Sequence, residues 1–289
     1  MNEAHGGGPV VAMPEILAAR ERRCYLEDGR APRTDQDAAD LVTQRRFMTL
    51  GVVARTNMLP SLSGADPDRE WNVSWLAWRW KQTLPAARAC AYLKWFHNQG
   101  TFIAWNIYPS FYALWGPGLA RRGAAAYRSG LLNPHEREVL EVIERDGPIS
   151  SRELWQELKP QFGGKRRLML AALTGLQKGF YVTVSGGELD RWSMHYWDTV
   201  RRVVPAAVLR QTPSLETARA ELIAAAVDNL ACCTPREVAG LFGWRPSEVR
   251  PIAAQLAEQG RIRDGVRVER QKEGFLAALD FAPAGRSGV

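Results

Sequence analysis

The sequence predicts a mainly α protein with small β-hairpin wings, organised as tandem winged-helix units, a variant of the helix-turn-helix. Three observations predict it. The order helix, helix, helix, hairpin can be read from Asn133 to Met194, which is the order of a winged helix. The order then recurs from Leu215 to Val268 at similar spacing, since Glu153 to Gly179 is 26 residues and Glu237 to Gly260 is 23. Helix starts in both stretches carry an oxygen-bearing cap with glutamate three residues on.

Taken in order, residues 1–29 show no sustained period. Gly6-Gly7-Gly8 gives a flexible start, with room for a helix over Pro14–Tyr25. Residues 30–130 read as an N-terminal aromatic-basic helical domain. Thr34 caps a helix over Asp35–Met48, with two aspartates in its first turn facing the positive end of the helix dipole. Val52–Leu62 reads as extended or irregular, and Ser63–Trp71 as a polar turn. Leu84-Pro85 predicts a helix start, with Pro85 where a missing N–H costs nothing, so a helix spans Pro85–Gln99 and Gly100 ends it. Thr101–Trp105 is a short β-like run, Tyr108-Pro109 opens a further helix, and a short one follows near Leu119–Tyr127.

Residues 131–200 form the first expected winged-helix unit. Asn133 caps a helix to Asp146, Ser150 caps a second through Leu158, and Gly163-Gly164 breaks the chain before a third over Lys165–Lys178. A hairpin of Tyr181–Val184, a Ser185-Gly186-Gly187 turn and Leu189–Met194 completes it. Residues 211–281 form the second unit. Its helices are Leu215–Leu230, one opened by Thr234 and ending at Phe242-Gly243, and Pro246–Glu258; its hairpin pairs Ile262 with Val266–Val268 across Asp264-Gly265. Residues 282–289 read as a disordered tail.

Composition narrows the function classes. The chain has 289 residues, a net charge of +7 and a sequence pI near 9.5, which favours a polyanionic partner. No apolar run approaches a membrane span and the N-terminus lacks a signal peptide, so the expectation is a cytoplasmic protein with no membrane partner. Cys24, Cys90, Cys232 and Cys233 form no C-x-x-C pair and read as thiols, while His5, His97, His135 and His195 show no metal-ligand spacing. Neither a metal nor a cofactor is expected. No Ser/His/Asp order, P-loop or dinucleotide fingerprint occurs.

The stretch Trp71–Gly116 holds seven of the eleven tryptophans. Cations alternate with rings in it, and two readings follow. Rings at helical spacing serve as core, whereas rings alternating with cations can stack bases and hold phosphates. The second reading makes Trp78, Trp80, Lys81, Arg88, Tyr92, Lys94, Tyr108 and Tyr112 a candidate base pocket, because lysines and arginines without neighbouring acids must reach solvent or a ligand. At the start of the expected third helix of the first unit, Lys165, Arg166 and Arg167 oppose the helix dipole and call for an external anion. Together with Arg191 in the wing they are the candidate DNA contacts.

The string Trp78-Arg79-Trp80-Lys81-Gln82-Thr83-Leu84-Pro85, then Tyr92-Leu93-Lys94, Thr101-Phe102-Ile103 and Tyr108-Pro109-Ser110-Phe111-Tyr112-Ala113-Leu114, resembles the AlkZ-related branch of the winged-helix DNA glycosylase family, also called YcaQ-like. The resemblance runs over roughly Asp35 to Val268 and implies double-stranded DNA as partner and base excision as the family's chemistry. Active members carry a Gln-apolar-Gln or Gln-apolar-Asp motif after their first helix. The equivalent window here, Leu50-Gly51-Val52-Val53-Ala54-Arg55, holds neither amide nor carboxylate, and Gln44 and Asn57 are the nearest substitutes. Asp66, Asp68 and Glu70 sit in the polar turn. The expectation is a monomeric DNA-binding protein that recognises distorted or alkylated duplex. An active glycosylase excising alkylated or crosslinked bases, and a winged-helix transcription regulator, stand as alternatives.

Overall fold

The computed structural model of the chain describes residues 10–24, 31–51, 59–65, 75–117, 123–189 and 194–282. After α1 (Met13–Cys24) comes α2 (Asp35–Arg45), capped as expected: the Thr34 hydroxyl accepts from the Asp37 amide, and the Asp37 carboxylate accepts from the Thr34 amide. The helix stops three residues before Met48 because Arg46 turns into positive φ and the chain enters β1 (Phe47–Thr49). Beyond residues 52–58 and 66–74, which lie outside the described set, come α3 (Trp75–Ala86), β2 (Cys90–Lys94), a 3-10 turn at Phe96–Asn98, β3 (Gly100–Ala104) and α4 (Tyr108–Trp115).

The expected helix over Pro85–Gln99 is replaced by the end of α3 and a strand. Pro85 closes a helix here instead of opening one, and Arg88 at φ 54° turns the chain into β2. The physical reason lies in the sheet. Met48, Cys90, Tyr92, Phe102 and Ala104 face one core, while Phe47, Ala91, Leu93 and Ile103 face another. Strands buried on both faces lose the polar alternation that marks a strand, and a short continuous apolar run cannot be told from a buried helix by period.

The unit expected first from the sequence, at residues 131–200, is the second of three along the chain and follows α5 (Gly123–Arg128), which overlaps the expected Leu119–Tyr127 helix, whose first four residues lie outside the described set. It comprises α6 (Pro134–Asp146), β4 (Ile149–Ser150), α7 (Ser151–Leu158), α8 (Arg166–Lys178), β5 (Val182–Gly187) and β6 (His195–Thr199). Short helical turns α9 (Val200–Val203) and α10 (Ala206–Leu209) lead to the third unit: α11 (Leu215–Leu230), β7 (Cys232–Cys233), α12 (Pro235–Phe242), α13 (Pro246–Glu258), β8 (Arg263–Val266) and β9 (Phe275–Ala277). The capping boxes at Asn133, Ser150 and Thr234 all form.

Both hairpins differ from expectation in register. β5 runs through Ser185-Gly186-Gly187, and its partner is His195–Thr199. β8 likewise runs through Asp264-Gly265 and pairs with Phe275–Ala277. Glycines read as turns are thus bulge and close-approach positions within strands.

The three sheets have one topology. Their strand orders are β1-β3-β2, β4-β6-β5 and β7-β9-β8, all antiparallel, so the last strand of each unit lies in the middle. The N-terminal region therefore carries a sheet of the same topology as the other two units, with α3 where they hold the helix before their second sheet strand. The first sheet sits between the other two units and shares a core with each. Buried amides tie them together: Asn229 donates to the carbonyls of Arg45 and Phe47 at 3.1 Å, and Gln177 accepts from the Lys94 amide at 2.9 Å. Helix α1 packs on the third unit through Arg20, which pairs with Glu237 and donates to the Cys232 carbonyl. Among the described residues no helix is long and apolar enough to cross a membrane.

Candidate nucleic-acid interface

The third helix of a winged helix is its usual groove-reading element, and here the three equivalents meet three different fates. The start of α8 is open. Gly163 and Gly164, both at positive φ, deliver the chain to Lys165, which caps the helix without any side-chain hydrogen bond. Lys165, Arg166 and Arg167 are all exposed, and none has an ion-pair partner among the described residues. Helices α6, α7 and α12 each place a glutamate in the first turn; α8 places none. The positive dipole end and three cations therefore point at one exposed spot, an arrangement suited to a phosphate.

The start of α13 is closed. Glu248 accepts from the Arg245 amide at 2.9 Å, pairs with the Arg245 guanidinium at 3.3 Å and with Arg219 at 3.5 Å. These hydrogen bonds and charges hold its carboxyl below the ordinary range, the Arg245 amide first among them. Further along, Arg250 pairs with Glu273.

Helix α3 is buried. It carries Trp80, Lys81 and Gln82 into the interface with β5 of the second unit, where Gly186 and Gly187 bring the strand against Ala86 and Gln82. A side chain at Gly187 would collide with the Gln82 amide and the Met194 carbonyl. The Gln82 amide oxygen meets His195 Nδ1 at 3.1 Å, and its nitrogen donates to the Met194 carbonyl. Burial, aided by the charges of Lys81 and Lys94, lowers the His195 pKa to about 3, so the imidazole is neutral and Nδ1–H is the donor to Gln82. Lys81 is 2 % exposed, and its ammonium lies 3.2 Å from the centroid of the Trp78 ring; burial lowers its pKa to about 8.

The profile of the AlkZ-related family matches residues 32–243. The chain belongs to the AlkZ-related family. A solved structure of the same fold is Streptomyces sahachiroi DNA glycosylase AlkZ, which superposes with a TM-score of 0.56 at 14% identity, over 95% of this chain and 74% of that one. No curated protein matches the chain in sequence.

Within this AlkZ-related chain, the residues expected to form a base pocket do not share one open surface. Trp80 is fully buried and packs with Tyr92 in the core shared with the second unit. Tyr108 and Tyr112 are buried in the core shared with the third. Trp78 is half-buried beneath Lys81, while Arg88 and Lys94 are exposed. Rings and cations that alternate in sequence separate in space because part of the stretch is strand, which sends neighbours to opposite faces. The cation expected to need solvent, Lys81, instead lies against a tryptophan face. Arg191 and Asn57 lie outside the described residues, as do Asp66, Asp68, Glu70 and all but Leu50 and Gly51 of the family's motif window; Gln44 is exposed on α2. Among the described residues no group of three or more His, Cys, Asp or Glu side chains is placed to hold a metal ion. Gln82, Gln177 and His195, which join the units, escape sequence reasoning because no motif marks a residue whose partner is 80 or more positions away.

Proposed function

We propose that this AlkZ-related chain is a double-stranded-DNA-binding protein that recognises distorted or alkylated duplex. It docks the start of α8 on the phosphate backbone and acts as a monomer. One observation carries the reading: Lys165, Arg166 and Arg167 stand exposed at a helix start with no side-chain cap and no first-turn glutamate, so the local field is positive and none of the three has an ion-pair partner among the described residues. The likeness in fold to a DNA glycosylase supports the finer preference for damaged duplex. Several winged units in one chain also need no dimer to contact an extended site.

The test replaces Lys165, Arg166 and Arg167 with glutamine and measures duplex affinity against salt by fluorescence anisotropy. The slope of log K against log salt falls by about 0.9 for each phosphate that the variant leaves unneutralised, hence by about 2.7 for three. An unchanged slope places the DNA elsewhere. Comparing intact duplex with one that carries an alkylated or mismatched base tests the preference for distortion, since an easily unstacked base lowers the cost of deformation. Equal affinity for both favours the regulator. Release of free base from alkylated duplex would make the chain an active glycosylase.

A further inference from the structure

Helix α8 leaves one face open to solvent from Arg167 to Lys178. Met169, Ala172, Leu173 and Leu176 turn into the core shared with the first sheet, while Arg167, Leu170, Ala171, Thr174 and Lys178 recur at helical spacing on the other side. Arg167, Ala171 and Lys178 are exposed, Leu170 is 47% exposed and Thr174 is half-buried. One exposed leucine is ordinary on any surface, but this one shares a face with the methyl groups of two neighbours and has a cation at each end.

The chemistry of this face is restricted. The Thr174 hydroxyl donates to the Leu170 carbonyl at 2.9 Å, so its proton is committed within the helix. Between Arg167 and Lys178 the face therefore presents methyl groups and no free side-chain donor. Helix α8 contains no Asp or Glu, and neither end cation has an ion-pair partner among the described residues. The Glu136 carboxylate lies against Gly175 at the flank, where the Asn133 amide donates to it at 2.9 Å.

A partner must match two cations about 16 Å apart along the helix and an apolar patch between them. The major groove of duplex DNA does so. It is about 12 Å wide, admits a helix between two rows of phosphates, and presents one apolar group at the base edges, the C5-methyl of thymine. Leucine, alanine and a threonine methyl cannot sense the hydrogen-bonding edges, so that methyl is the one base feature to which they respond. We propose that the outer face of α8 reads thymine methyl groups in the major groove through Leu170, Ala171 and Thr174, with Arg167 and Lys178 on the flanking phosphates. The inference rests on duplex docking at α8 and adds base contacts to the phosphate contacts of its first turn.

The full chain is titrated by fluorescence anisotropy into an alternating A·T duplex, the same duplex with deoxyuridine for thymine, an alternating G·C duplex, and the same with 5-methylcytosine. Removing the thymine methyls weakens binding about fifteenfold, which is about fourfold for each of two methyls, and methylating cytosine strengthens it. The slope of log K against log salt is unchanged within each pair, because a methyl carries no charge. Selection for a loosely stacked duplex has the opposite sign, since uracil stacks less well than thymine and its duplex would bind more tightly. Leu170→Gln with Ala171→Ser, both at exposed positions, abolishes the methyl effects and keeps the salt slope. Thermal melts confirm that the pair folds, and should it fail to, Leu170→Gln alone must reduce the uracil effect. Equal affinity for the thymine and uracil duplexes at an intact salt slope overturns the base readout and leaves the phosphate dock standing, whereas absence of salt-dependent binding to any duplex sinks both. A methyl effect that survives the paired substitution, or self-association lost in Leu170→Gln with no methyl effect, would also overturn the inference, giving the readout to another element or this face to a second copy.

Discussion

Helices α8 and α13 occupy the same place in the same topology and differ in what surrounds their first turns. At α8 three cations face solvent with no ion-pair partner among the described residues, while at α13 Glu248 pairs with both Arg245 and Arg219. The backbone therefore repeats one helix position three times, and charge and burial set the three apart. Helix α3 adds a third condition, its Trp80, Lys81 and Gln82 being withdrawn from solvent against the second unit's wing. Position in a winged helix is a weak argument for DNA contact, and the ion-pair partners of its first turn are a stronger one.

If α3 is a structural dock, its residues set stability and those of α8 do not. Trp80, fully buried between two units, tests this most severely: Trp80→Ala should cost about 3–5 kcal/mol of unfolding free energy in urea titration. Arg166→Ala on exposed α8 should change it by less than about 0.5 kcal/mol. Similar costs for the two would erase the distinction.

Lys81 sharpens the same contrast, because a cation at α3 is buried where the cations at α8 are exposed. Its folded pKa of about 8 is below the unfolded value, so the unfolded chain binds the proton more tightly and stability rises with pH between about 8 and 10.5. Below pH 8 the cost is present in full. The charge term is about 3 kcal/mol and contact with the Trp78 face offsets about 1, so Lys81→Met should stabilise the chain by about 2 kcal/mol at pH 7 and flatten the alkaline limb. His195 acts at the other end of the scale. Its folded pKa of about 3 also lies below the unfolded value, so its contribution is complete above about pH 6.5 and is lost as the pH falls toward 3. His195→Gln should remove that acid limb in denaturation curves taken across the range.

What could be read in advance follows from how local each signal is. Thr34, Asn133, Ser150 and Thr234 announce their helices because a capping box is complete within four residues. The second and third units were legible for that reason. The first was not, since Cys90–Lys94 takes its polarity pattern from neighbours more than 80 residues away, and both its faces are covered. At the candidate interface the cations of α8 were visible as a run, whereas the burial of Lys81 and Trp80 depends on a wing that closes over them from the next unit.

The smallest expected effect is also the most direct test of charge as the deciding variable. Arg245 is 82% exposed at its side chain and would pass for a DNA contact on position alone. Glu248, however, sits at the third position of α13, where it accepts from the Arg245 amide and receives the guanidinium, so a phosphate would have to displace a carboxylate already held by the helix dipole. Binding there exchanges one anion for another with little gain, and an exposed pair of this kind contributes only about 0–1 kcal/mol to stability. Arg245→Gln should accordingly leave duplex affinity within about twofold and the salt slope unchanged, against a reduction of about 2.7 for the three substitutions in α8. A slope reduced by about 0.9 in Arg245→Gln would mean that the third unit reaches the backbone despite its glutamate, and that the difference between α8 and α13 is one of degree.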